Sequence, residues 1–425
     1  MRIITWTQSC MCILFATVLV TLFFFWWNES KDIPLQMQSK FINTSLVSEK
    51  IVKADLGGTE SNFQWGKEST ETPIRILQTT TEKGGKRHRL LYPSNRAPFK
   101  ENLTRKDVRQ RFPVWNEDTS VKDLVPRLQQ IWKSHLKINK YNTTFLKNSK
   151  RRKHATAELL CMLKKVNMDM VKGTDFPDNS PKWTAYLPTT SLAAALGTFK
   201  SCAVVSSAGA MKFSKLGPEI DAHDAVLRFN AAPTAGFEAD VGTKTTIRLM
   251  NSQVVTTPTY NFLTETLYQS GTLVMWDPAP YHASLHEWYR KPEFNFTDNY
   301  QLYRTKNPTQ AFYIMDPDIL WKLWDIIQEN TLEDIQPNPP SSGMIGILLM
   351  MNLCDKVNVY EYLPSRRKTY ICHYYEKFQD AACLLGAFHP LVFEKNLIKQ
   401  INHGTDENIY LYGKVTVPGL SKNTC

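Results

Sequence analysis

The chain has 425 residues and a formal net charge of +11, from 51 Lys and Arg against 40 Asp and Glu. The run Lys147, Lys150, Arg151, Arg152 and Lys153 invites a nucleic-acid reading, but a charge run is usually a solvated face. The cysteines and glycosylation sequons described below place the domain where no polynucleotide is met, so a nucleic-acid partner is excluded and the basic surface is left to gather small anions.

In chain order, residues 1–9 read as a cytoplasmic tail. Residues 10–27 carry no charge and are just long enough to span a bilayer. The run ends Phe23-Phe24-Phe25-Trp26-Trp27, without the small-x-small pair a signal peptidase accepts. Its tryptophans suit a membrane interface. Arg2 precedes the run, while Glu29, Lys31 and Asp32 follow it, an asymmetry that puts the N-terminus in the cytosol. We read a single-pass signal anchor, short enough for the thinner membranes of the early secretory pathway. Residues 28–110 are polar and without period, a stem that buries too little to fold alone. From residue 111 to 425 aromatics become dense, and the length suffices for one large domain with a full core.

An oxidising, lumenal setting agrees with the rest of the composition. Cys10 and Cys12 sit in or beside the span; Cys161, Cys202, Cys354, Cys372, Cys383 and Cys425 remain, an even number with fifteen pairings open to them. Acceptor sequons occur at Asn43, Asn102, Asn142 and Asn295. Asn28 also fits but abuts the membrane, and Pro308 blocks Asn307.

Within the body, short apolar runs alternate with helical stretches, the pattern of a mainly parallel sheet covered by helices. The expected strands are 202–206, 226–230, 245–250, 272–276, 312–315 and 357–362. Expected helices include 124–135, 318–328 and 344–354. In such a sheet the ligand crevice lies at the carboxyl ends of the strands. Asn230 and Asn251 each end a strand, which points both at one site.

Three later segments carry chemistry. Asp316-Pro317-Asp318 has the look of a metal-holding Asp-x-Asp pair, but Asp318 reads better as the N-cap of the following helix. In Pro339-Pro340-Ser341-Ser342-Gly343 the prolines halt the chain and the serines are good N-cap residues. A helix N-terminus with hydroxyls and a glycine is also a natural anion site. Ala387-Phe388-His389-Pro390 sets a histidine on a proline-fixed bend, with Glu394 five residues on. Histidine titrates near neutrality, so it can take a proton from a hydroxyl nucleophile.

Segments 202–251, 337–362, 372–376 (Cys372-His373-Tyr374-Tyr375-Glu376) and the His389/Glu394 pair together resemble, in order, the large, small, third and very small sialylmotifs of the animal sialyltransferases, glycosyltransferase family 29. The resemblance extends over about residues 112–425 and is nearest to the members that act on the 6-position of β-galactosides. It implies a Rossmann-like, GT-A-like α/β fold and a Golgi type II membrane enzyme. Such an enzyme moves sialic acid from CMP-sialic acid to terminal Galβ1-4GlcNAc on N-glycans, with inversion and with His389 as general base. It assigns the donor to Ser207, Asn230, Asn251, Ser341, Ser342, Gly343 and His373. The acceptor falls to Tyr141, Gln253, Glu293, Phe388 and Lys395, and Glu394 orients the histidine or supports its loop. The disulfides implied are Cys161–Cys425, Cys202–Cys354 and Cys372–Cys383.

No cofactor or metal is expected, because the donor carries one phosphate and its own carboxylate. A homodimer and a cleaved, secreted form are both compatible with this reading. Three residues depart from the pattern: related α-2,6 enzymes generally have Asp at Glu293, Tyr at Phe388 and Tyr at His373. Two rival readings stand beside it, a sister sialyltransferase of another linkage and a membrane-anchored lectin. His389 and two donor motifs are what a pure lectin has no reason to hold.

Overall fold

The computed structural model describes residues 112–176, 182–380 and 382–425. The expected tail, anchor and stem, with Cys10, Cys12, Asn43 and Asn102, lie outside them. Among the described residues no helix is long and apolar enough to cross a membrane.

One seven-stranded sheet organises these residues. Its strands are β1 Phe199–Val205, β2 Ala225–Phe229, β3 Ile247–Asn251, β4 Thr272–Trp276, β5 Phe312–Ile314, β6 Cys354–Tyr360 and β7 Lys414–Pro418, in the spatial order β5-β4-β3-β2-β1-β6-β7. The first six pair in parallel and β7 runs antiparallel beside β6. Strands covered on both faces read as continuous apolar runs, and β2 and β4 are buried at every position. Arg228 in β2 and Arg248 in β3 are the charged exceptions. Each is buried and turns its guanidinium onto backbone carbonyls, Arg228 on Val241 (2.6 Å) and Arg248 on Asn230 (2.8 Å) and Ala232 (3.1 Å).

The longer helices are α1 Pro126–Ile138, α2 Thr156–Lys164, α3 Thr297–Lys306, α4 Asp318–Glu329, α5 Ser342–Leu353 and α6 Leu391–Gln400. Apolar all round, α5 is buried along its length and packs on β1, β2 and β3. A side chain at Gly346 would meet the Phe229 ring at 2.6 Å, so glycine lets this helix lie close to the sheet. α5 passes into β6 with no loop between them, which puts its C-terminus at the amino edge of the sheet. Its N-terminus, Ser341–Gly343, therefore sits at the carboxyl edge.

The six expected strands are present, shifted by up to three residues. β6 begins at Cys354 rather than 357 because pairing with β1 continues back to Phe199. Strand β7 and helix α6 are additions. The capping expectation for Asp318 is corrected. Pro317 is the cap residue and Asp318 is already helical. Asp316 Oδ1 accepts the Asp318 N–H at 2.9 Å, while the Asp318 carboxylate pairs with Lys322 (2.8 Å) and His282 (3.0 Å).

All three disulfides implied by the resemblance are formed: Cys161–Cys425, Cys202–Cys354 and Cys372–Cys383. They tie α2 to the last residue, β1 to the start of β6, and a surface loop to itself. Asn142 and Asn295 are exposed, as sequon acceptors must be.

Candidate active site

The carboxyl edge gathers the residues that the sequence pointed to. Asn230 follows β2 in a left-handed conformation (φ 46°), which an asparagine tolerates better than most residues. Its Oδ1 accepts the Asn251 N–H at 3.0 Å, so the two asparagines meet as their strand ends predicted. Asn251 in turn caps the short helix Ser252–Thr256 that carries Gln253. Beyond β1, the Ser207 carbonyl accepts the Tyr374 N–H at 3.0 Å, and Ala208 bridges His373. The third motif is thereby laid against the large one. His373 Nδ1 is held by Glu376 at 2.7 Å, and its ring stacks on Tyr375.

The serines divide their labour. Ser341 is the N-cap of α5, its Oγ accepting the Met344 N–H at 3.2 Å. Ser342 lies inside the helix, and its Oγ accepts from Trp276 Nε1 at 3.0 Å. Trp276 ends β4 in register with Asn251. That indole ties the small motif to β4, the strand paired with the end of the large motif. Gly343 is needed for a reason the sequence did not supply: a Cβ there would meet the Tyr362 ring at 2.7 Å.

Tyr362 and Glu394 complete the support. Glu394 is fully buried, so it is no surface carboxylate. It accepts from the Ser341 N–H (2.8 Å), Ser341 Oγ (2.6 Å) and Tyr362 Oη (2.7 Å). Burial, then the Glu394 charge, push the Tyr362 phenol well up, so it stays a donor.

His389 is oriented by backbone rather than by Glu394. Its Nδ1 bonds the Pro339 carbonyl at 2.7 Å. A carbonyl only accepts, so Nδ1 carries the proton and Nε2 keeps its lone pair. The loop is fixed from the same segment: Asn338 Nδ2 donates to the Phe388 carbonyl (2.8 Å) and Gln336 Nε2 to the Gly386 carbonyl (3.3 Å). Gly386 turns this loop with φ 74°, and a side chain there would strike Leu391 at 2.4 Å. Burial lowers the His389 pKa, partly opposed by the Glu394 charge and the Pro339 contact. The ring is therefore neutral at neutral pH and can act as a base. Phe388 lies edge-on between His389 (4.9 Å) and His135 (5.6 Å), whose own pKa is lowered by burial and then by His389.

Among the acceptor candidates, Tyr141 is buried against Trp321 (5.4 Å) with Lys140 over its ring (5.1 Å), and Lys140 also pairs with Glu293. Lys395 is buried next to Glu394, but its ammonium bonds the Leu384 carbonyl and lies 5.2 Å from the Trp115 ring. Burial pushes it down to about 8, against the pull of Glu394 and Glu361. Trp276, Asn338, Tyr362 and the Pro339 carbonyl were not foreseen as site residues. Asn338, Pro339 and Tyr362 lie inside the 337–362 motif segment and Trp276 closes an expected strand, which were the signals for them in the sequence.

Residues 131–405 match the model of glycosyltransferase family 29 (sialyltransferase). Human (Homo sapiens) β-galactoside α-2,6-sialyltransferase 1 is 56% identical over 315 residues, which are 74% of this chain and 77% of that protein. The mouse (Mus musculus) protein of the same name is 45% identical over 401 residues, 94% of each chain. A crystal structure of a mammalian sialyltransferase aligns with a TM-score of 0.34 at 21% identity, covering 67% of this chain and 84% of that one. A likeness that slight adds nothing to the other two.

Proposed function

Because this chain belongs to glycosyltransferase family 29, the sialyltransferases, we propose that it transfers sialic acid from CMP-sialic acid to the 6-hydroxyl of terminal β-galactose on N-glycans. One observation carries the chemistry: His389 bonds the Pro339 carbonyl through Nδ1, which leaves the Nε2 lone pair able to take a proton. The galactose O6 attacks sialic acid C2, the bond from C2 to the CMP phosphate breaks, and CMP leaves with the electron pair. The O6 proton passes to Nε2 of His389. Glu394 sits where its charge favours the resulting imidazolium. The unpaired N–H groups of the first turn of α5, at Ser342 and Gly343, face the charge growing on the phosphate, with His373 on the neighbouring motif. Attack opposite the leaving group inverts C2.

The sheet serves as the Rossmann-like, GT-A-like scaffold of that family. The reaction runs without a metal: the Asp316 and Asp318 carboxylates are engaged locally. Glu293 and Phe388 set the acceptor preference apart from relatives with Asp and Tyr. Three disulfides and two exposed sequons support a lumenal domain behind a Golgi type II anchor.

Ser342→Ala is expected to raise the KM for CMP-sialic acid and leave that for lactosamine near parental, because the tie from the small motif to Trp276 on β4 is lost. Ser341→Ala removes a cap instead, costing about 0.5–2 kcal/mol of stability. A Ser342→Ala enzyme with parental donor kinetics would make that serine structural.

The function itself is tested by incubating the enzyme with CMP-sialic acid and either lactosamine or its 6-deoxygalactose analogue, before and after dialysis against a chelator. Transfer to lactosamine alone, unchanged by the chelator, is expected. Transfer to both acceptors would move the linkage to another hydroxyl, and glycan binding without turnover would leave a lectin. Activity lost to the chelator and restored by manganese would bring the Asp316/Asp318 pair back as a metal site.

A further inference from the structure

Asp277 follows β4 at the carboxyl edge, is wholly buried, and has no role in the chemistry above. Four donors converge on it: Ser252 Oγ, Trp288 Nε1 (2.8 Å), the Glu293 N–H (3.0 Å) and the Phe294 N–H (3.3 Å). An ionised carboxylate only accepts, so a cage made of donors alone suits that form and no other side chain of its size. Burial pushes Asp277 up to about 6, opposed by these same hydrogen bonds, so it is mostly ionised at neutral pH.

What Asp277 joins gives it meaning. Ser252 stands between Asn251 and Gln253 on one segment, and Glu293 and Phe294 lie on another, past the helix Leu285–Arg290 that carries Trp288. Each segment presents one residue assigned to the acceptor, Gln253 or Glu293. The charges of Glu293 and Asp277 both act on the Tyr141 phenol, which places the third acceptor candidate beside them.

We propose that Asp277 is a positioning residue for the galactoside: by clamping the Ser252 and Glu293 segments together it fixes the spacing of Gln253 and Glu293. The inference rests on the acceptor assignment made under the proposed function. The contacts of Asp277 are Ser252, Trp288 and the Glu293 and Phe294 N–H groups, so its loss should act first on the segments that carry Gln253 and Glu293.

The test is Asp277→Asn in the full chain, whose amide keeps the shape but turns a donor toward converging donors. The KM for lactosamine should rise ~10-fold, equivalent to about 1.4 kcal/mol. The KM for CMP-sialic acid and its slow hydrolysis without acceptor should stay within about two-fold of parental, because Asn251 and Trp276 keep their own ties to Asn230 and Ser342. A parental KM for lactosamine overturns the proposal. Donor and acceptor constants rising together with a lowered melting temperature also overturn it, by making Asp277 a structural group only. Should Asp277→Asn fail to fold, Trp288→Phe removes one donor and leaves the carboxylate in place. It should raise the acceptor KM several-fold with the donor KM parental, and an unchanged acceptor KM again overturns the proposal. If the parent itself moves no sialic acid to lactosamine, the functional reading has failed and this inference falls with it.

Discussion

His389→Gln is expected to lower kcat by ~10²–10⁴-fold while leaving the affinity for CMP-sialic acid close to parental, the loss typical of removing a general base. Glutamine fills similar space and can still donate to the Pro339 carbonyl, so the loop should keep its shape; what disappears is the free lone pair of Nε2. The O6 proton then has no acceptor as the bond to C2 forms. The pH dependence gives a second readout. A base must be unprotonated to act, so kcat/KM falls as pH drops through the His389 pKa. Burial lowers that pKa from the ordinary 6.5, so the acid limb should lie below the value of a free imidazole and be absent from the variant's residual rate. Turnover within a few-fold of parental would remove His389 from the role.

Glu394→Ala should destabilise the domain by about 3–5 kcal/mol, because it strands three donors, one fully and two partly buried, and opens a cavity. The Ser341 N–H, Ser341 Oγ and Tyr362 Oη all lose their acceptor at once. Tyr362 is also what Gly343 packs against, so the disturbance should reach the donor turn and raise the KM for CMP-sialic acid. Glu394→Gln keeps the volume and one acceptor oxygen and should cost clearly less. Denaturant unfolding of both variants checks this. A Glu394→Ala protein with the parental midpoint would mean that this buried network holds nothing in place.

Much of this arrangement is legible in the chain, and for identifiable reasons. The strand expected at 272–276 has the observed limits because β-branched Thr272 leads an apolar run, Leu273-Val274-Met275-Trp276, that ends at Asp277. Asn230 and Asn251 were placed together because strand ends of a parallel sheet share one edge. The disulfide pairings came through family resemblance; spacing left fifteen open.

Long-range contacts were hidden. The Trp276–Ser342 bond spans 66 positions and depends on α5 crossing the sheet, which no local pattern reveals. Helix α6 is buried on most sides, including Glu394 and Lys395, so it lacks the polar face that marks a surface helix. Asp318 looked like a cap because it follows a proline, yet Pro317 itself occupies the cap position in a helical conformation. Strand β7 is a short alternating edge, Val415 and Val417 inward, easily read as loop before a chain end.

The disaccharide product decides the central claim most directly. Lactosamine sialylated by the purified protein should show, by long-range carbon–proton correlation in its NMR spectrum, a link from sialic acid C2 to the two protons on galactose C6, with the α configuration that inversion of CMP-sialic acid requires. A correlation to galactose C3, or a β-configured product, would contradict the account of His389 acting on the 6-hydroxyl from the face opposite CMP.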